Sequence, residues 1–118
     1  MTRAAVIVLV VVLVLGGLFF LLRPDTPSGA PQDRTFDLSV KGGEMSPSEI
    51  SVNKGDTVTL QVSSDQPVEL HIHGYDAEQA VEPGQKAELQ FEAGLTGRFE
   101  IEDHETEKEL GVLQVRPR

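Results

Sequence analysis

Apolar and polar residues alternate along most of the chain after residue 33. A period of two predicts short β-strands, each with one face toward a core. Turn residues rich in Gly, Pro, Asn and Asp separate these segments. The spacing predicts an all-β fold, an antiparallel β-sandwich of about seven or eight strands, with Asp76 to Val81 making one helical turn at most. The alternating apolar positions are Phe36, Leu38 and Val40; Ile50 and Val52; Val58, Leu60 and Val62; Val68, Leu70 and Ile72; Ala87, Leu89 and Phe91; Phe99 and Ile101; and Leu110, Val112 and Val115.

The N-terminal region has a different pattern, because Ala4 to Leu22 is a run of 19 residues without a charge. As a helix it would be about 28 Å long, close to the thickness of the bilayer hydrocarbon core. In lipid a lone segment must satisfy its own backbone hydrogen bonds, which favours a helix despite the β-branched residues. A cleaved signal peptide is the alternative, but its apolar region is usually only ~7–15 residues long. The sequence therefore predicts an uncleaved transmembrane signal-anchor over residues 1–23.

Residues 24–33 contain three prolines and have no periodic apolar face. They predict a partly stiff linker, at most about 30 Å long, between the anchor and a domain at residues 34–118. Arg3 and Arg23 flank the apolar run almost symmetrically, so the positive-inside rule hardly distinguishes the two orientations. The short N-terminal tail favours a single-pass protein of the inner (cytoplasmic) membrane, with the C-terminal domain in the periplasm or outside the cell.

The charge of the chain narrows the range of partners. The formal net charge is −9, and all of it belongs to residues 34–118. Nucleic acid is excluded as a partner because phosphate binding needs clustered Lys and Arg, whereas cations or a basic protein surface are favoured. One acidic run would concentrate metal cations, dock a basic protein or simply solubilise a loop. Its members are Glu100, Glu102, Asp103, Glu105, Glu107 and Glu109.

Three histidines are the candidate functional residues. His71 and His73 follow the outward phase of a strand whose inward residues are apolar, so both imidazoles project from one face, with Cα atoms about 6.6–6.8 Å apart. Imidazole suits Cu(II) or Zn(II), and the Irving–Williams order favours copper. His71, His73 and His104, with Glu102 or Asp103 completing the shell, therefore predict a type-2-like metal site. The alternative is that these side chains are merely solvated or hydrogen-bonded.

The order of the motifs resembles the cupredoxin family. The resemblance covers nearly all of residues 34–115 and is strongest with membrane-tethered, cysteine-free cupredoxin-like proteins of bacteria. It implies a Greek-key sandwich that holds a metal ion at one end. The motifs are a proline corner before Ile50-Ser51-Val52-Asn53-Lys54-Gly55-Asp56-Thr57-Val58, a later histidine, Glu82-Pro83-Gly84-Gln85, Leu95-Thr96-Gly97-Arg98-Phe99-Glu100-Ile101, a histidine-containing loop, and Gly111-Val112-Leu113-Gln114-Val115.

The sequence departs from that family at the metal ligands. A blue copper centre needs two histidines and a cysteine, usually with a weak axial methionine. The chain has no cysteine, and Glu102-Asp103 stands where the family cysteine would fall. His104 fits the second family histidine, and either His71 or His73 fits the first. The resemblance therefore implies a cupredoxin-like fold without a blue centre, and the electron-transfer role of the family is not carried over.

The sequence contains none of the common enzyme motifs that would support catalysis. The chain has no G-x-S-x-G elbow, phosphate-binding loop, dinucleotide fingerprint or H-E-x-x-H sequence. The predicted function is a membrane-anchored extracytoplasmic binding module that carries or buffers copper at a non-blue histidine site. The alternatives are a metal-free protein-interaction domain and, last, a small copper-dependent oxidoreductase.

Overall fold

The computed structural model describes residues 3–22 and 29–118. Within these residues one helix precedes nine strands, which confirms the predicted all-β fold with an N-terminal helix. Residues 1, 2 and 23 of the predicted anchor and residues 24–28 of the predicted linker lie outside the described residues. The elements are α1 (Arg3–Leu21), β1 (Asp33–Lys41), β2 (Glu44–Ser46), β3 (Glu49–Asn53), β4 (Thr57–Ser64), β5 (Val68–Ile72), β6 (Ala77–Val81), β7 (Ala87–Glu92), β8 (Gly97–Asp103) and β9 (Lys108–Arg116).

Helix α1 has the length and composition of a membrane span. It is 19 residues long and almost wholly apolar, and none of its residues is buried against the rest of the chain. An exposed apolar surface of this size is unfavourable in water, because apolar surface is stabilised when it is removed from water. The helix is therefore long and apolar enough to cross a membrane.

The strands form two sheets. The four-stranded sheet has the order β2-β1-β4-β7, and the five-stranded sheet has the order β3-β9-β8-β5-β6. Strand β1 pairs in parallel with β4, and β3 pairs in parallel with β9, whereas the other pairings are antiparallel. Both sheets are thus mixed, which differs from the antiparallel sandwich expected. The period-two pattern gives each strand an inward face but does not determine its neighbour or the direction of pairing.

Two strands were missed by the sequence analysis. Strand β2 forms a hairpin with β1 through Gly42 and Gly43, whose φ angles of 59° and 76° suit a two-residue turn. Residues 77–81, expected to make one helical turn at most, instead form β6 and pair along the whole of β5. Their intrinsic strand propensity is weak, but Ala77 and Val81 are buried, so packing and pairing override propensity.

The core lies between the two sheets and confirms the predicted inward faces. On β5, Val68, Leu70 and Ile72 are buried, so the residues between them project from the outer face of the five-stranded sheet. The alternation fails only on β9, whose pairing with β8 is interrupted by a bulge. On this strand Leu113, rather than Val112, belongs to the main core cluster. The largest fully buried side chains are Ile50, Leu60, Leu70, Ile72, Ile101 and Leu113.

A buried carboxylate connects the segments that meet at the end of the domain where β1 begins. The side chain of Asp56 is 1% exposed and accepts hydrogen bonds from the backbone N–H groups of Gln32 at 2.9 Å and Asn53 at 3.0 Å. Arg118 Nη2 donates a third at 2.6 Å, and the same guanidinium donates to the carbonyl of Ala30. Asp56 therefore joins the start of β1, the β3–β4 turn and residue 118.

These donors also determine the ionisation of Asp56. Burial raises the pKa of Asp56, but the two backbone N–H donors and the charges of Arg118 and Arg34 outweigh burial and lower the pKa below its usual value. The carboxylate is therefore ionised throughout the physiological range, and its role is to hold the fold together.

Candidate metal centre

Strand pairing places His71 in a row of acidic side chains. In the antiparallel pairings of the five-stranded sheet, His71 lies opposite Glu78 of β6 on one side and Glu102 of β8 on the other. Directly opposed residues in an antiparallel pair project from the same face of the sheet. Glu78, His71 and Glu102 therefore form a row across three neighbouring strands on the outer face of the sheet. Leu70 and Ile72 are buried on the opposite face.

The imidazole of His71 lies between two carboxylates. His71 Nδ1 is 3.3 Å from Glu102 Oε1, and His71 Nε2 is 3.7 Å from Glu78 Oε1. The side chains of His71 and Glu102 are only 16% and 13% exposed. The pair is thus partly shielded from water although it lies on the outer surface of the sheet.

His73 approaches the same carboxylate from the end of β5. Its backbone N–H donates to the carbonyl of Glu100 at 3.0 Å, which continues the pairing with β8 by one step. His73 Nε2 is 2.6 Å from Glu102 Oε1, and the ring centroids of His71 and His73 are 5.1 Å apart. The two imidazoles therefore contact one oxygen atom of Glu102.

His104 reaches the cluster from the loop after β8. Its backbone N–H donates to the carbonyl of Glu69 at 2.8 Å, and its ring centroid lies 5.2 Å from that of His71. The structure therefore brings all three predicted histidines to one region of the outer face, with His71 at its centre.

The donor atoms form two groups that share Glu102. In the first, His71, Glu102 and His104 each offer one ligand atom, and these atoms lie within 4.8 Å of one another. In the second, His73, Glu100 and Glu102 meet the same condition. Bonds of about 2.0–2.2 Å to one ion require such proximity. Neither group, in the part of the chain that the structure describes, contains all three imidazoles.

Comparison with known proteins identifies the family. A family model of the cupredoxin-like domain matches residues 8–115. The chain belongs to the cupredoxin-like domain family. A search of curated proteins found no match.

Solved copper proteins share the fold of this cupredoxin-like domain. The blue copper oxidase from Nitrosomonas europaea has a TM-score of 0.60 and 23% identity, covering 73% of this chain and 39% of that one. A multi-copper oxidase from Pseudomonas Thermotolerans has a TM-score of 0.61 and 18% identity, covering 75% and 31%. A chain of a heme-copper terminal oxidase dimer has a TM-score of 0.60 and 19% identity, covering 97% and 100%. At these identities the likeness is one of fold, and this chain spans well under half of the blue copper oxidase chain and of the multi-copper oxidase chain.

The donors of this cupredoxin-like domain do not fit a blue copper centre. The chain has no cysteine to supply a thiolate, and Met45 is buried in the core on β2. Imidazole and carboxylate donors fit instead a type-2-like site for Cu(II) or Zn(II). The structure therefore agrees with the expected departure from the blue copper proteins.

The two candidate carboxylates, Glu102 and Asp103, have different surroundings. Asp103 is buried; its Oδ1 accepts hydrogen bonds from the backbone N–H groups of Glu69 and Glu105, and its Oδ2 accepts one from Thr106 Oγ1. Asp103 lies outside both ligand groups and fixes the start of the loop that carries His104. Of the two, only Glu102 lies among the imidazoles.

The imidazoles favour the ionised form of Glu102. Burial raises the pKa of Glu102, but hydrogen bonds to His71 and His73 and the charges of these imidazoles outweigh burial and lower the pKa below its usual value. An ionised carboxylate is the form that binds a metal ion, so Glu102 needs no deprotonation near neutral pH.

Sequence reasoning did not single out Glu78 or Glu100 as site residues. Glu100 was named only as part of the acidic run, and Glu78 fell in a segment that was not expected to be a strand. Recognising β6 would have found Glu78, because a hairpin across residues 73–76 places it directly opposite His71. The sequence offered little signal, because the apolar pair Ala77 and Val81, four positions apart, fits a helical turn as well as a strand.

Proposed function

We propose that this protein is a membrane-anchored cupredoxin-like module that binds Cu(II) at a non-blue site formed by His71, His104 and Glu102, and that it carries or buffers the ion. The observation that carries this proposal is the position of Glu102, whose carboxylate meets imidazoles from β5 and from the loop after β8 within 4.8 Å. His71 precedes Glu102 by 31 positions and His104 by 33 positions in the sequence, and the three residues offer ligand atoms to one point.

The chemistry of the donors supports copper as the ion. Two imidazoles and one carboxylate are nitrogen and oxygen ligands of the kind that Cu(II) and Zn(II) prefer, and copper binds such sites more tightly. Three protein ligands leave positions open on the ion, as in sites that exchange a ligand rather than closed structural sites. The net charge of −9 also raises the local concentration of cations. These properties favour reversible binding of the ion.

The position of the site supports binding rather than catalysis. The ligands lie on the outer face of a sheet, where an ion is open to exchange with a partner but is not enclosed with a substrate. We propose no enzymatic activity for this domain.

The anchor determines where the ion would be handled. Helix α1 is the proposed uncleaved signal-anchor in the inner membrane, with the domain on the periplasmic or external side. Copper would then be bound close to the membrane surface, outside the cytoplasm.

A metal-free interaction domain is the second candidate function. It is supported by exposed acidic residues beside the site, which suit a basic protein surface. In that case Glu102 and its neighbours would pair with Lys or Arg of the partner instead of an ion. These exposed residues are Glu100, Glu105, Glu107 and Glu109.

Isothermal titration of the metal-free full-length chain in detergent micelles tests the proposal. We expect Cu(II) to bind with a dissociation constant in the micromolar range or tighter, and Glu102→Gln to weaken binding at least about 10-fold, the lower end of the usual effect of removing a group that supports a metal site. The matched control is Glu88→Gln, which removes the same charge from an exposed position on β7 of the other sheet. Binding weaker than millimolar, or equal affinities of the two variants, would refute the copper site and leave the interaction domain.

A further inference from the structure

The histidine face contains more ligand atoms than one ion needs. The two donor groups, His71 with His104 and His73 with Glu100, share only Glu102. We infer that this face binds a pair of divalent ions, with Glu102 as the carboxylate that bridges them. This inference rests on the proposed function, in which the group containing His71 and His104 is the first site.

The contacts of Glu102 place it between the two sites. Its Oε1 atom lies 3.3 Å from His71 Nδ1 and 2.6 Å from His73 Nε2. A carboxylate has two oxygens with about four lone-pair positions, so it can bind two ions at once. The ring centroids of His71 and His73 are 5.1 Å apart, a spacing that suits ligands of adjacent ions about 3.5–4 Å apart.

The backbone fixes the second group as it fixes the first. The N–H of His73 donates to the carbonyl of Glu100, which holds these two residues side by side across β5 and β8. Directly after His73 the chain turns at Gly74, whose φ is +86° and whose position is so close to Phe99 that a Cβ atom would lie 2.9 Å from the ring. The turn directly after His73 is therefore one that only glycine fits without displacing Phe99.

The local charge favours a second cation after the first. Three carboxylates, those of Glu78, Glu100 and Glu102, surround the imidazoles on this face. One divalent ion would leave the cluster with a net negative charge when the imidazoles are neutral. This remaining negative charge, which already includes the bridging carboxylate, partly offsets the repulsion between two divalent ions.

The two sites differ in exposure, and this difference predicts the order of filling. Apart from the shared Glu102, the first site has the half-buried His71, 16% exposed, beside the exposed His104, whereas both ligands of the second site, His73 at 51% and Glu100, are exposed. Electrostatic attraction is stronger where water is excluded. The first ion therefore binds at His71 and His104, and the second binds more weakly at His73 and Glu100.

Native mass spectrometry and isothermal titration of the full-length chain in micelles with Zn(II) test the inference. We expect two ions per chain, bound in two steps, and one ion in Glu100→Gln with the first dissociation constant changed by less than about 3-fold. Glu88→Gln is the control and should retain two ions. A single ion in the unaltered chain, or two ions in Glu100→Gln, would overturn the paired site. A single ion leaves the proposed function intact, whereas a chain that binds neither Zn(II) here nor Cu(II) in the titration above fails both, so the two failures are distinguishable.

Electron paramagnetic resonance with Cu(II) tests whether the two ions are adjacent. One equivalent should give the signal of an isolated Cu(II), and the second equivalent should reduce the signal per ion and add a half-field transition from a coupled pair. A signal that simply doubles with the second equivalent would place the second ion elsewhere and overturn the bridge. His73→Asn should abolish the coupling and retain the signal of the first ion.

Discussion

Two carboxylates in this domain have different partners although the pKa of each is lowered. Asp56 is buried at the end of the sandwich where β1 begins, and its partners are two backbone N–H groups and Arg118. Glu102 lies on the outer face of the five-stranded sheet, and its partners are the imidazoles of His71 and His73. Burial opposes ionisation at both positions, and hydrogen bonds and charges overcome it at both.

The two carboxylates differ in whether their partners can also bind a metal ion. A backbone N–H group cannot bind a metal ion, and Arg118 keeps its charge, so the contacts of Asp56 serve only the fold. A neutral imidazole can coordinate a metal ion through a ring nitrogen, so the contacts between Glu102 and the imidazoles can be replaced by bonds from both to an ion. The chemistry of the partners, rather than the shift in pKa, separates the structural carboxylate from the candidate ligand.

Removal of Asp56 should have the largest effect on stability. Asp56→Ala leaves two N–H donors and Arg118 without the carboxylate, and breaking a buried charged pair costs about 3–5 kcal/mol. We expect the free energy of unfolding to fall by about 3 kcal/mol while the affinity for Cu(II) remains unchanged. Urea unfolding of the full-length chain in micelles, followed by the fluorescence of Tyr75, measures the first quantity, since Tyr75 is the only tyrosine and the chain has no tryptophan.

The control for this prediction is Asp37→Ala. Asp37 is 76% exposed and 3.9 Å from Lys86, and such surface pairs contribute at most about 1 kcal/mol. A loss of stability in Asp56→Ala no larger than in the control would remove the distinction between the two carboxylates.

Substitution of His71 should have the converse effect. We expect His71→Asn to weaken Cu(II) binding about 100-fold, equivalent to about 2.7 kcal/mol, because the central imidazole ligand is lost. The stability of the metal-free chain should change by less than about 1 kcal/mol, since the side chain lies on the outer face and leaves no core cavity. Titration calorimetry and urea unfolding measure the two quantities. A large loss of stability with unchanged affinity would show that His71 is structural.

The difference in stability between the unaltered chain and Asp56→Asn should depend on pH. Because the folded pKa lies below the reference value of 3.8, Asp56 stabilises the fold fully above that value and ceases to do so as the pH falls through the lower folded pKa. Asp56→Asn should therefore be less stable than the unaltered chain at pH 6, and the gap should narrow below about pH 4. Urea midpoints at pH 6, 4 and 3 measure the gap. A gap that stays constant to pH 3 would mean that the charge of Asp56 contributes little.

The smallest effect concerns the turn after His73. Gly74→Ala and Gly84→Ala both place a Cβ atom at positive φ, +86° and +77°, but only the first brings it against the ring of Phe99. We expect each to destabilise the chain by about 1–2 kcal/mol from backbone strain, with Gly74→Ala the worse by about 1 kcal/mol. Urea unfolding of the two variants measures the difference. Equal losses would show that Phe99 moves away freely and does not restrict the turn.

The sequence determined the faces of strands better than their neighbours. Leu70 and Ile72 were enough to predict that His71 and His73 project outward, because buried and exposed positions must alternate on a half-buried strand. The proximity of His104 depended on the order of strands, for which the resemblance to cupredoxins was the source. The choice between Glu102 and Asp103 needed the face of β8, and Glu78 needed a strand whose own residues favour strand structure weakly.

Pulsed electron paramagnetic resonance of the full-length chain with one equivalent of Cu(II) tests the central claim most directly, because it detects imidazole nitrogen bound to the ion. We expect couplings from two imidazoles, one of which is lost in His71→Asn and the other in His104→Asn. Couplings that are absent, or that persist unchanged in both variants, would contradict a copper site on this face of the sheet.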